Sequence, residues 1–482
     1  MGLLISSKPL AIPFFYAPRA SIGAPCLWVE QPFPHFLPDH RMNHQYVERL
    51  VNLLDPKANQ ILNMTTDEAI EAVASGDPDR VRQIEGQFAL LHKDGQLIRM
   101  ARTLARPMRF FLAKRTEGPC LIVAERIDEI QTFLQNEGLA DQFHPSYTRM
   151  VPAHHVLELR LIGCPDPSPA HHRFLTPERN RLPADLDQIG KAYIGQLAKS
   201  CDQWLDRIGP NEPIGVMFSG GIDSGSVFLV LYDRLLRRGE SPSRLKAFTL
   251  SVDGEGDDAK QAVEFLKQLD LQLFLETIDV PISAIDYRSA IATIEDYKPL
   301  DVQAATVGLA LCQGIRARYP DWRYLVDGDG GDENLKDYPI EENPELTIVS
   351  VLNNLMLYQE GWGVDAVKHS QTYSGGQSRG HVRSWAPARK LGFQGFSPYA
   401  LPSVIDVAEG IPFIELTNWD HEKLYALKGE IVSRGIKAVT GLEMPVFPKR
   451  RFQHGVSSSD RYADLFPGSE AEYRREFTQL HA

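Results

Sequence analysis

Residues 216–226 read VMFSGGIDSGS. A short apolar run, Val216-Met217-Phe218, leads into Ser219-Gly220-Gly221-Ile222-Asp223-Ser224, and a helical pattern follows from Val227 to Arg238. Strand, glycine turn and helix together make a cradle for phosphate. Residues without Cβ let backbone N–H groups approach an anion, and a helix N-terminus adds partial positive charge. The hydroxyls of Ser219 and Ser224 can donate to phosphate oxygens. Asp223 repels phosphate unless a cation stands between them, so it points to Mg²⁺. The bland alternative is an ordinary glycine-rich turn, which the complete SGGIDS pattern disfavours. The stretch lacks the pattern G-x-x-x-x-G-K-[ST], which argues against kinase-like transfer of a γ-phosphate.

Two further stretches hold reactive side chains. Tyr324-Leu325-Val326-Asp327-Gly328-Asp329-Gly330-Gly331-Asp332-Glu333 follows a strand pattern and should reach the same sheet edge as the first loop. Its glycines allow close approach to a ligand, and its four carboxylates repel one another unless a cation or ordered solvent compensates. An acidic surface turn is the alternative. Phe447-Pro448-Lys449-Arg450-Arg451-Phe452-Gln453-His454-Gly455-Val456 carries a basic run, which on its own reads as a solvated loop.

The first stretch resembles the pyrophosphate-binding loop of the N-type ATP pyrophosphatases, which cleave ATP to AMP and pyrophosphate. Within that group the chain is similar to the asparagine synthetases and β-lactam synthetases. The resemblance implies ATP and Mg²⁺ as cofactors. It places Val216, Phe218, Ser219, Gly220, Gly221, Ile222, Asp223 and Ser224 at the ATP and pyrophosphate site. Gly328 and Gly330 join them, as does Ser251, in a Phe248–Val252 strand whose end packs near adenine in the family. Asp332 falls on the family's metal-binding aspartate, across from Asp223, and two carboxylates holding Mg²⁺ against phosphates is sound hard-ion chemistry. Asp329 falls where asparagine synthetases carry Glu and β-lactam synthetases carry Tyr, which implies substrate contact or a general base. Glu360 and Asp365 lie in the window of the base's partner carboxylate, without a reliable alignment for either. Lys449 falls on the lysine that stabilises charge on the acyl-adenylate transition state, where a fixed ammonium is worth several kcal/mol. Weaker matches are Ser397-Pro398-Tyr399 before Ile405-Asp406, which lacks the arginine and aspartate of the family's R-x-P-F-L-D, and Glu295-Asp296, where acidic residues near the substrate are common.

The first half departs from the family. Asparagine synthetases begin with a catalytic cysteine that hydrolyses glutamine, whereas this chain begins Met1-Gly2-Leu3-Leu4 and its first cysteine is Cys26. Gly86–Leu90, Arg102–Pro107 and Ala124-Glu125-Arg126 still resemble the glutaminase-type pattern, with Arg102 in place of an Asp-type residue. The implication is a domain kept for structure without glutaminase activity, a loss that β-lactam synthetases share.

Elements must carry these residues to one place. Strand patterns at 214–218, 246–252, 272–280 and 323–327 alternate with helical ones at 224–238, 257–270 and 301–317. Such alternation implies an α/β fold with a doubly wound parallel sheet that binds ligands beyond its strand ends. Before residue 165 the texture is β-rich, as in Gly86–Leu91, Gln96–Met100, Cys120–Ala124 and His154–Leu159. Residues 165–187 contain five prolines and read as a linker. After 345 the pattern is helical, at Glu345–Glu360, Ser403–Glu409 and His421–Arg434, and this tail is expected to cover the site. The expectation is an N-terminal glutaminase-like αββα sandwich over 1–187 and a C-terminal ATP pyrophosphatase domain with helical additions over 188–482.

Composition excludes other classes. The chain has 482 residues, 43% of them apolar, and 51 basic against 63 acidic residues give a net charge of −12. That balance argues against nucleic acid as a partner. Five widely spaced cysteines without a C-x-x-C point to reduced thiols in a cytoplasmic protein. There is no signal-peptide pattern and no apolar run of about 18 residues, so no membrane is expected. The pairs His154-His155 and His171-His172 make no metal site, because neighbours on a strand point to opposite faces. A homo-oligomer or a pathway partner stays open.

The expected activity is an ATP-dependent carbon–nitrogen ligase, forming AMP, that adenylates a small-molecule carboxylate and lets an amine attack. The alternatives are an asparagine-synthetase-like ligase using free or partner-supplied ammonia, and a catalytically inactive nucleotide-binding scaffold.

Overall fold

A five-stranded parallel sheet positions the candidate residues. Its spatial order is Leu275–Val280, Leu245–Val252, Ile214–Met217, Tyr324–Val326, Gln394–Phe396. Ile214 lies opposite Leu245 on one side and Tyr324 on the other. The chain builds outward from Ile214–Met217 in one direction, then returns to add Tyr324–Val326 on the opposite flank. That reversal is a switch point, where crossing helices part and leave a crevice at the strands' C-terminal ends. Strands buried on both faces read as continuous apolar runs, and all eight residues of Leu245–Val252 except Lys246 are buried. The computed structural model describes residues 49–162, 168–337, 340, 347–357, 381–447 and 464–481.

Helices Ile222–Arg237, Asp257–Lys267 and Pro299–Arg318 cross between the strands. Helices Leu186–Leu205 and His421–Thr440 pack tightly on each other. A Cβ on Gly190 would come within 2.6 Å of the Ile431 carbonyl oxygen, and one on Gly435 within 2.3 Å of the Gly190 oxygen. Only glycine at both positions permits that approach.

Two four-stranded sheets precede this part. One runs Arg49–Asn52, Gly118–Ala124, Arg109–Arg115, Arg149–Met150; the other Ala170–Arg173, His155–Arg160, Leu97–Arg102, Ala89–Asp94. Met100 and Leu157 of the second share a core with Phe110 and Leu121 of the first. Strand alternation turns Ala101 to the other face, where it meets Ala69 and Val73 of helix Thr66–Ser75. That helix starts with a capping box between Thr65 and Glu68. The fold is mixed α/β. Among the described residues no helix is long and apolar enough to cross a membrane.

The observed strands fall within the expected segments with small shifts. Residues 272–274 form a single 3-10 turn before the strand begins at Leu275. The stretch read as a linker contains a strand, Ala170–Arg173, paired antiparallel with His155–Arg160. It is an exposed edge strand, so its polar residues give no apolar alternation to detect. Helix Leu186–Leu205 also starts in that stretch, with the Asp185 carboxylate accepting from the N–H groups of Asp187 and Gln188. The edge strand Gln394–Phe396 is too short to leave a period-two signal. Several residues singled out above lie outside the described residues: Cys26, Glu360, Asp365 and Lys449, with the stretch 448–456.

The β-rich part and the five-stranded sheet are joined by polar contacts. Gln60 Nε2 donates to the Gly395 oxygen at 2.6 Å, and Trp204 Nε1 donates to Gln60 Oε1 at 3.1 Å. Arg126 donates to the Ala292 and Thr293 carbonyls.

Candidate functional site

Three turns leave neighbouring strands at one edge of the five-stranded sheet and begin with Ser219, Asp327 and Ser397. In the first, Gly220 adopts φ +71°, and a Cβ there would meet the Ala262 nitrogen at 2.7 Å. The helix starts after Gly221 without a side-chain cap, which leaves its first N–H groups facing the crevice. The two serines organise the loop. Ser219 N–H donates to Ser224 Oγ at 3.2 Å, and Gly221 N–H donates to Ser219 Oγ at 3.2 Å.

The second turn interlocks with the first through its glycines. A Cβ on Gly328 would meet the Ser224 nitrogen at 2.6 Å, and one on Gly331 would meet Asp223 Oδ1 at 2.2 Å. These glycines make room for the neighbouring loop. Asp223 and Asp332 are brought together by Lys428 of helix His421–Thr440. Lys428 Nζ lies 2.6 Å from Asp223 Oδ2, bonds Asp332 Oδ1, and stands 3.5 Å from Asp337 Oδ2. Burial works against the charge on Lys428, but the three carboxylates outweigh it and hold the ammonium well above the usual lysine range.

Asp329 lies on the far side of the second turn. Ser384 Oγ donates to Asp329 Oδ2 at 2.5 Å. Burial pushes the Asp329 carboxyl up to about 6, against the opposing pull of Arg383 and Ser384. Burial, then the charge of Asp329, carries Asp327 well above the carboxylate range. Asp327 Oδ2 accepts from Ser397 Oγ at 2.8 Å, and its Oδ1 accepts from Asp329 N–H at 3.0 Å. Arg383 and Ser384 belong to a π-helical turn, His381–Trp385. It packs so closely on helix Pro299–Arg318 that a Cβ on Gly308 would lie 2.2 Å from the Arg383 oxygen.

These groups line one cleft of about 280 Å³. Of the sequence-predicted residues, Phe218, Ser219, Gly221, Ile222, Asp223, Ser224, Gly328, Asp329 and Asp332 reach it. Gly220 shapes the turn from behind. Val216 is in the hydrophobic core, and buried Ser251 turns its hydroxyl to the Glu255 oxygen. Gly330, at φ +102°, faces Tyr399 and Ala400. Glu295 is committed elsewhere: it accepts from the N–H groups of Ile127 and Asp128, both at 2.9 Å, and stands 3.3 Å from Arg109. Asp296 accepts from the N–H of Tyr297 and Lys298. Phe447 lines the cleft, and the chain beyond it toward Lys449 lies outside the described residues.

Sequence reasoning missed Lys428, Arg383, Ser384 and the role of Ser397. Lys428 sits in HEKLYALKGEIVSR, where a lysine on an amphipathic helix reads as solvated; only the fold shows it buried. Ser384 and Arg383 follow a stretch without periodicity, and nothing local marks them.

The pair Asp223 and Asp332 fits a hard cation. Two carboxylates already converge on one ammonium, and Gly331, where a Cβ would strike Asp223 Oδ1, leaves room for the Asp223 carboxylate. Among the described residues no group of three or more His, Cys, Asp or Glu converges as a metal centre. The remaining ligands of a Mg²⁺ would then be phosphate oxygens and water, its usual manner of binding.

Residues 206–391 match the family model described as asparagine synthase. That stretch contains both glycine turns, Asp329 and Ser384. No curated protein gives a significant match to the chain.

Proposed function

We infer that this chain, whose residues 206–391 match the asparagine synthase family model, is an ATP-dependent amide-forming enzyme that activates a small-molecule carboxylate as an acyl-adenylate and joins it to an amine. The observation that carries the reading is the convergence of Asp223, Asp332 and Lys428 at the SGGIDS turn, with Asp329 in the same cleft. The turn's serine hydroxyls and the N–H groups of the helix start would bind phosphate oxygens. Mg²⁺ held by Asp223 and Asp332 would neutralise the charge that builds on departing pyrophosphate. Lys428 reaches the same space, and its ammonium can follow that charge.

The substrate carboxylate oxygen attacks the α-phosphorus, and the bond to pyrophosphate breaks. In the second step the amine nitrogen bonds to the acyl carbon, the bond to the AMP oxygen breaks, and the nitrogen's proton passes to Asp329. A carboxyl pushed up to about 6 suits a general base at neutral pH. Lys449 is assigned to charge stabilisation on the acyl-adenylate.

The part before residue 188 is proposed to be glutaminase-like in descent and inactive toward glutamine. Arg102, where the family pattern has an Asp-type residue, is wholly buried and donates to the Val151 and Thr103 carbonyls. Its position supports a structural use.

A screen of carboxylic and amino acids for ATP–pyrophosphate exchange tests the reading, and the product mass then separates a lactam from an intermolecular amide. ATP binding without exchange for any acid would favour an inactive scaffold.

A further inference from the structure

We propose that Asp327 is a positioning residue for Asp329, and that through Ser397 and Gln87 it ties this base to the β-rich part of the chain. The inference rests on the reading of Asp329 as the base. Asp327 directly follows the strand Tyr324–Val326, and its own N–H donates to the Phe396 oxygen of the edge strand at 3.1 Å. Both of its carboxylate oxygens are engaged: Oδ1 takes the Asp329 N–H at 3.0 Å and Oδ2 takes Ser397 Oγ at 2.8 Å. The residue is only 4% exposed. A carboxyl group is costly to bury unless its bonds are satisfied, and here those bonds fix the backbone that presents Asp329. Bonds of that kind suit a support better than a second proton acceptor.

Ser397 is itself held from across the molecule. Its carbonyl accepts from Nε2 of the buried Gln87 at 3.4 Å, and two residues earlier the Gly395 carbonyl accepts from Gln60 Nε2 at 2.6 Å. The opposite flank of Asp329 shows a second arm. Ser384 donates to Asp329, and the adjoining Trp385 ring lies 5.9 Å from the Arg106 guanidinium. Asp329 is thus held between two arms, and each ends on a residue of the β-rich part. This gives that part of the chain a use that requires no chemistry of its own.

The test uses the full chain, an acid that supports exchange, and two probe amines. Hydroxylamine is uncharged near neutral pH and can attack without prior deprotonation, losing its proton to water afterwards, whereas methylamine arrives protonated and must first give a proton to a base. Asp327→Ala should leave ATP–pyrophosphate exchange and hydroxamate formation within about twofold of wild type, while kcat for the methylamide falls by about 10²-fold with little change in the amine KM. Asp327→Asn keeps an acceptor for the Asp329 N–H and a bonding partner for Ser397, so it should recover to within about fivefold of wild type. Gln87→Met should lower the methylamide rate by a few fold. Ser397→Ala removes the same arm with Asp327 intact, and it carries the test should Asp327→Ala not fold. A wild-type methylamide rate in Asp327→Ala overturns the inference. So does equal damage in Asp327→Asn and Asp327→Ala, which would make the charge matter rather than the bonds. Exchange absent from the wild-type chain with every acid overturns the reading of the site, and this inference with it.

Discussion

Lys428 bridges Asp223 and Asp332, and the residues of the proposed site have separable consequences. Asp223→Ala removes one hard oxygen donor, and ATP–pyrophosphate exchange should fall by about 10²-fold or more, the scale of losing one charge-stabilising group. Lys449→Ala should lower amide turnover by about 10²-fold while nucleotide binding, measured by calorimetry, persists. Asp329 sets the pH response. A base must be ionised to accept a proton, and burial pushes this carboxyl up to about 6. The methylamine step should therefore fall as pH drops through about 6 and level off above it. The same shift raises Asp329 above its ordinary value of 3.8. The folded state therefore favours the protonated form, and its contribution to stability is lost as pH rises through about 6. Asp329→Asn should flatten that part of a denaturation-versus-pH curve.

The glycine turns and parallel strands were legible because each has a local signature: apolar run, glycines, then a helix start. Asp223, Asp329 and Asp332 stand in these turns and reach one cleft. The π-turn His381–Trp385 and the strand Gln394–Phe396 were not, because one lacks a regular period and the other is three residues long. Their places are set by partners distant in the chain. Gly308 is the clearest of these, since it alone lets the Arg383 carbonyl sit against helix Pro299–Arg318. Gly308→Ala should cost about 1–3 kcal/mol in denaturant unfolding, as overpacking does. It should also slow the methylamine step more than exchange, because the displaced turn carries Ser384. The edge strand Ala170–Arg173 shows the same limit, since its exposed, mostly polar sequence leaves its pairing to the neighbouring strand.

Across the described residues, the β-rich part meets the rest of the chain at several points, among them Gln60 and Gln87 on the edge strand and its turn, Arg106 on Trp385, Arg126 on helix Tyr287–Ile294 and Arg82 on Asp406. The purified chain should release no glutamate from glutamine, and measurable release would return a catalytic use to that part. The nucleotide side answers to a different joint. Helix His421–Thr440 holds Lys428 at one point and presses Gly435 against Gly190 at another. The seven residue steps from one to the other are about two turns, roughly 10 Å along the axis. The helix is therefore a lever whose fulcrum is a bare glycine contact outside the cleft. A wedge as small as one methyl at Gly190 would tilt it and withdraw the ammonium from its carboxylates. On the proposed function, phosphate affinity would then respond to a position outside the cleft, and a weaker nucleotide Kd in Gly190→Ala by calorimetry checks it.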